Sequence, residues 1–160
     1  MYQYSFANVD LNITIPDFAG NDDVVTITGF PTGENLISAA RRAPIATTTF
    51  GAYGKMIVNM HRIVAGDLSF PLLAGSDDNV KLQKWANNFQ AQANSSTVAL
   101  VPPLQASITD NMGNDKVTMT NGVVLAIPAL VRGQTMNTVN WVISFEEMTF
   151  AREKGLGEYN

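Results

Sequence analysis

The stretch Val9-Asp10-Leu11-Asn12-Ile13-Thr14-Ile15 alternates apolar and polar residues without a break. That period of two decides the fold class. Successive side chains of a β-strand point to opposite faces, so Val9, Leu11, Ile13 and Ile15 share one face and Asp10, Asn12 and Thr14 the other. The same period returns along the chain. Val25 and Ile27 alternate with Thr26 and Thr28 before Gly29, and Leu68, Phe70 and Leu72 alternate with Ser69 and Pro71. Pro71 lacks an amide hydrogen, which puts its strand at an edge or ends its pairing there. In the last strand, residues 138–150, Val139, Trp141, Ile143 and Phe145 fall on one face. Residues 55–64 read as a long strand, apolar or amphipathic on both faces, and residues 98–101 and 106–109 as shorter ones. Residues 117–127 read as a hairpin with a type I′ turn at Asn121-Gly122, a dipeptide that tolerates positive φ.

One helix is predicted. Ser76 caps it, Asp77 and Asp78 lie where a helix N-terminus favours negative charge, and residues 80–93 propagate it. Leu82, Trp85, Ala86, Phe89 and Ala93 form one apolar stripe, which makes Leu82, Trp85 and Phe89 core anchors. Residues 30–50 contain Pro31, Gly33, Pro44 and Thr47-Thr48-Thr49, with Arg41-Arg42 at the centre, and read as a long unpaired connection. The chain is therefore mainly β: an antiparallel β-sandwich or barrel-like domain over residues 1–150, with one amphipathic α-helix, long loops and a polar tail at residues 151–160.

Composition narrows the function. The 160 residues hold no cysteine and one histidine, which excludes disulfides, thiolate chemistry and any His-pair metal site in one chain. The net charge of −4 is opposite in sign to that of a nucleic-acid-gripping protein. Charged residues make up 15%, against about 25% in ordinary domains. In their place stand 15 Asn and 14 Thr. A surface poor in charge and rich in amides and hydroxyls is the mark of a protein covered by partners. Charge is also segregated, with −5 over residues 1–40, +3 over residues 41–84 and −2 over the remainder. Opposite faces of that kind allow head-to-tail contacts between copies. Arg41-Arg42 against an acidic patch at Asp22-Asp23 is the candidate pairing.

Catalytic patterns fail on inspection. Gly51-Ala52-Tyr53-Gly54-Lys55 lacks the spacing of a phosphate loop and the hydroxyl after lysine, and it precedes a strand. Residues 110–115 are oxygen-rich, but Met112 occupies a ligand position of a calcium loop. Glu146 and Glu147, adjacent on a strand, are expected on opposite faces, and His61 has no nucleophile or orienting acid in its neighbourhood of sequence. The reading is of a non-enzyme without cofactor or metal. The N-terminus shows neither a basic nor an apolar leader segment, so synthesis in the cytoplasm is expected.

In order, several segments resemble the tail tube proteins of contractile-tailed bacteriophages. They are Tyr4-Ser5-Phe6-Ala7-Asn8-Val9 with the alternating strand after it, the turn Phe50-Gly51-Ala52-Tyr53-Gly54-Lys55, and Gly66-Asp67-Leu68-Ser69-Phe70. Ser76-Asp77-Asp78-Asn79-Val80-Lys81-Leu82, Asp110-Asn111-Met112-Gly113 and Ala126-Ile127-Pro128 follow. The resemblance implies homohexameric rings, stacked into a tube whose strands join in an inner barrel. Tail sheath protein surrounds such a tube, baseplate or initiator and tail terminator proteins bound it, and tape-measure protein and genomic DNA occupy the lumen without sequence-specific binding. It implies a virion location and no membrane contact by this chain. It also turns Asp22, Asp23, Arg41, Arg42, Phe50, Tyr53 and Lys55 into inter-ring or intersubunit contact candidates. The strand at residues 55–64 would then set one face on the core and the other on a lumen or a neighbour. A tube or carrier ring of a tail-like bacteriocin or secretion system fits the same residues. A carbohydrate-binding β-sandwich module is the alternative from another class.

Overall fold

The computed structural model describes residues 5–16, 23–33, 36–91, 102–111, 115–129, 131, 133–135 and 137–152. Asp22, the strand expected at residues 98–101 and the tail beyond residue 152 lie outside them. Among the described residues the elements run β1 (Val9–Ile15), β2 (Asp23–Thr26), β3 (Ser38–Arg41), β4 (Ala46–Phe50), β5 (Met56–Met60), β6 (Gly66–Leu73), α1 (Asp77–Ala91), β7 (Leu104–Asp110), β8 (Asp115–Val124) and β9 (Thr138–Arg152). Seven strands form one antiparallel sheet in the order β2-β1-β7-β8-β9-β6-β3, and β4 with β5 forms a second, two-stranded sheet. The fold is thus mainly β with one helix, as the alternation predicts. It is a single curled sheet rather than two packed ones.

Every alternating run places its apolar set in one core. Leu11 and Ile13 of β1, Leu68, Phe70 and Leu72 of β6, and Trp141, Ile143 and Phe145 of β9 are all buried. Leu82 and Trp85 of α1 are buried with them, and Phe89 packs at the margin, its ring stacked on Trp85 at 5.1 Å. The pairing of β6 with β3 ends at Ser69, two residues before Pro71, so the missing amide costs no ladder bond on that side.

The helix start does more than cap. Ser76 Oγ accepts the Asn79 amide at 3.3 Å. Asp78, buried, accepts the amides of Thr28 and Gly29 at 2.9 and 3.1 Å. Gly29 in turn accepts the amide of Leu73 at 2.8 Å. The segment after β2 is thereby tied to the far end of β6, and the curled sheet is latched there without closing into a barrel. Asn79 completes the seam: its Oδ1 accepts Trp141 Nε1 at 2.8 Å and its Nδ2 donates to the Ala74 carbonyl at 3.0 Å.

Three expectations are corrected. Asn121-Gly122 is not a hairpin turn, because β8 continues from Asp115 to Val124 in unbroken register with β9. The positive φ of Asn121, 55°, instead forms a bulge against β7, where the register shifts between Leu104 and Ala106. Gly122 is required there for a second reason: a Cβ would lie 2.3 Å from the Phe145 ring. Residues 30–50 are not unpaired, since β3 and β4 lie within them. The strand at residues 55–64 stops at Met60, and neither of its faces reaches the core.

Asp78 is a buried carboxylate with two backbone donors, so Asp78→Ala is expected to lower the unfolding free energy by about 2 kcal/mol. Asp77→Ala, at an exposed position one residue earlier, is expected to change it by less than about 0.5 kcal/mol. Urea denaturation of the two variants checks the latch, and equal losses would remove it.

Candidate assembly surface

The β4–β5 hairpin stands apart from the core. Its turn is built by Gly51-Ala52-Tyr53-Gly54: the Gly54 amide donates to the Gly51 carbonyl at 2.9 Å and the Gly51 amide to that of Lys55 at 2.8 Å. Gly54 has φ of 80°, the left-handed conformation that explains a glycine at this position. Tyr53 at the tip is fully exposed, and every residue of β5 is open to solvent in part.

Register sorts the hairpin into two unlike faces. Phe50 lies opposite Met56, Thr48 opposite Val58, and Ala46 opposite Met60, so these six share one face. The other face holds Thr47 opposite Asn59 and Thr49 opposite Ile57. His61 follows on that side, with its Nε2 3.3 Å from Thr47 Oγ1. One face is therefore aromatic, methionine and valine, and the other mostly hydroxyl and amide. Phe50, Met56, Val58 and Met60 remain 65%, 52%, 47% and 70% exposed. An isolated two-stranded ribbon is marginal in water, and an apolar face this open marks an interaction surface.

The basic pair sits at the root of the hairpin, not on its apolar face. Arg41 ends β3, and its guanidinium donates twice to the Met148 carbonyl, at 3.2 and 3.0 Å, with its cation 5.7 Å from the Phe150 ring. Arg42 donates to Asp67 in a forked contact, with 2.9 Å to the nearest oxygen, and its amide donates to Ala65. That hydrogen bond from Arg42 lowers the Asp67 pKa below the usual carboxylate value, against an opposing effect of burial, with Ser144 assisting. Both arginines already have partners within the chain. Asp23 stands at the far edge of the sheet, where Lys81 Nζ lies 3.4 Å from its carboxylate. The structure therefore gathers Phe50, Tyr53 and Lys55 on one hairpin, puts Arg41 and Arg42 at its base, and keeps Asp23 separate. Sequence reasoning missed Met56, Val58 and Met60, although their alternation beside Phe50 was the available signal.

Glu146 and Glu147 are both exposed. The buried positions of β9 change phase between Phe145 and Met148, beside the Asn121 bulge, and Asn121 Nδ2 donates to Glu146 at 2.9 Å. Among the described residues no group of three His, Asp or Glu side chains is placed to hold a metal.

The fold is similar to that of two solved proteins. Over 96% of this chain and 93% of that one, it superposes on the tube-terminating cap of the anti-feeding prophage with a TM-score of 0.54 at 10% identity. It matches the sheath/tube terminator of the PVC extracellular contractile injection system with a TM-score of 0.53, also at 10% identity, over 94% and 98% of the two chains. At that identity the likeness is one of fold. No curated protein sequence matches significantly. The family is set by sequence: residues 1–151 match the bacteriophage PhiTE tail tube protein family, and the chain belongs to it. Its role is structural, in a phage tail.

Two measurements follow from the hairpin and its root. Met60→Asp and Asn59→Asp add the same charge to opposite faces of β5. The first is expected to abolish self-association and the second to leave it near wild type, by sedimentation, with both subunits keeping the wild-type circular dichroism. The Arg42–Asp67 pair has a pH signature. Because Asp67 is depressed in the folded chain, its contribution is present above the ordinary carboxylate pKa and lost as pH falls through the folded value, below about pH 4. The stability difference between wild type and Asp67→Asn is therefore expected to shrink as pH falls below the ordinary carboxylate pKa of about 4, measured by urea titration.

Proposed function

We propose that this chain is the repeating subunit of the inner tail tube. Six copies make a ring, rings stack, the sheath protein encloses them, and genomic DNA leaves through the lumen. The observation that carries the reading is the hairpin, whose apolar face stays open to water in the single chain while the family is one of tube proteins. Packing Phe50, Met56, Val58 and Met60 against another copy removes that surface from water at about 25 cal/mol per Å². Phe50, Tyr53 and Lys55 make this contact, and Arg41 and Arg42 set the angle at which the hairpin leaves the sheet. The strands β2 and β3, at the two ends of the seven-stranded sheet, are edges that neighbouring copies can cover. Baseplate or initiator, terminator and tape-measure proteins complete the partners. The chain would wait in the host cytoplasm before it joins the virion.

A second reading has its own support. One superposed structure is a tube-terminating cap and the other a sheath/tube terminator, which supports a single cap at the tail end as the second reading. Electron microscopy of intact particles, with copy-number proteomics, separates the two. Stacked six-fold rings along the tail with many copies per particle are the expected result. One ring's worth of copies confined to the tail end would replace the tube by the cap.

A further inference from the structure

Among the described residues the methionines fall into two opposite settings. Met119 of β8 and Met148 of β9 stand opposite each other in the ladder, and both are fully buried in the core. Met56 and Met60, at the two ends of β5, are 52% and 70% exposed. They lie on the same face of the hairpin, about 13 Å apart along the strand, and bracket Val58. Met56 is paired across the ribbon with Phe50, and Met60 with Ala46. Of the six residues on that face, Thr48 alone carries a side-chain hydrogen-bond donor. The chain has no cysteine, so methionine is its only source of sulfur. Among the described residues, the thioethers open to a dissolved oxidant are thus both on the apolar face of the hairpin.

We infer that Met56 and Met60 form an oxidation site that sets whether the free subunit can associate. The inference rests on the reading that this face meets another copy. The reagent is a peroxide. One of its oxygens passes to the thioether sulfur, the O–O bond breaks and an S–O bond forms. Sulfur gives up two electrons, and hydrogen peroxide is reduced to water. The product, methionine sulfoxide, is polar where the thioether was apolar, and a reductase returns it to the thioether. Each sulfoxide adds an acceptor oxygen to a face with one hydroxyl to offer, and burial there strips its water without supplying a partner. At Met56 the change also takes the soft sulfur from its place opposite the Phe50 ring. The hairpin ladder is backbone, and the core methionines are shielded, so the fold is left intact. Two sulfoxides at about tenfold each raise the concentration needed for association roughly a hundredfold. Once another copy covers the face, the same thioethers are out of reach. The site therefore acts on the free subunit and not on the assembled particle.

Free subunits are treated with dilute hydrogen peroxide until peptide mass spectrometry finds Met56 and Met60 as sulfoxides. Association is then read by sedimentation, beside circular dichroism. Wild type is expected to need roughly a hundredfold more protein to associate, with an unchanged spectrum and with Met119 and Met148 unmodified. The two methionine sulfoxide reductases, one for each sulfoxide epimer, are expected to restore it. The double variant Met56→Leu with Met60→Leu conserves volume and apolar character, and is expected to associate equally before and after peroxide. Full association of the doubly oxidised wild type overturns the site. An equal loss by the Leu variant overturns it too, because the effect then lies on other methionines. Intact particles under the same peroxide are expected to keep Met56 and Met60 as thioethers. Oxidation there as fast as in the free subunit, or no association of untreated wild type, overturns the assembly reading and the site with it.

Discussion

The backbone of Met148 is the point on which the rest of the structure depends. Its side chain is fully buried in the core, its amide donates to the Val64 carbonyl at 2.9 Å, and its carbonyl accepts the Arg41 guanidinium. One residue thus joins the sheet interior, the end of the segment that returns from the hairpin, and the strand that leads into it. An unpaired carbonyl at this place would carry a desolvation cost of about 1–3 kcal/mol, and a charged donor is the stronger way to meet it. Arg41 is held by that need. Arg42, next in the chain, turns to Asp67 across the adjacent strand, and the two contacts fix the direction of the hairpin. The Arg42–Asp67 pair is too exposed to contribute much stability, so its effect is on orientation.

Rigidity at the root matters because, among the described residues, the core does not reach the hairpin. Five cross-strand pairs hold β4 to β5, and both faces lie in water. A ribbon of this kind keeps its shape only while its base is anchored and its apolar face is covered. The curled sheet has the opposite character. Its core face is filled, its ends are latched through Asp78 and Gly29, and its hydrophobic residues are consumed internally. The buried core and the open apolar surface therefore belong to different parts of the chain.

The division explains what could be read from sequence. Alternation in β1, β6 and β9 was legible because each strand has one face in the core and one outside, which imposes the period directly. The helix was legible from Ser76, the acids after it, and the Leu82–Trp85–Phe89 stripe. β3 was not, because Ser38-Ala39-Ala40-Arg41 has no β-branched residue and becomes a strand only through its ladder with β6. The Asn121-Gly122 turn was misread for a related reason. The dipeptide supplies positive φ, but only the distant Phe145 ring and the unbroken β9 ladder convert it into a bulge. The hairpin's chemistry stood in the sequence, yet its two faces could be sorted only with the register that pairs Phe50 with Met56.

The same division organises charge. Residues 36–66 contain Arg41, Arg42, Lys55 and Arg62 and no acid, so the remainder of a chain of net charge −4 carries −8. Two of those cations are spent at the root of the hairpin. The others lie on or beside it. A protein that had to surround DNA and also bind its own copies would face a conflict, since cations that attract an acidic neighbour also attract phosphates. In the assembly proposed here the acidic surface of one copy screens the hairpin cations of the next. The overall acidity, taken alone, argues only against an electrostatic grip on nucleic acid. Its distribution says why a tube of such subunits would associate and still let DNA pass.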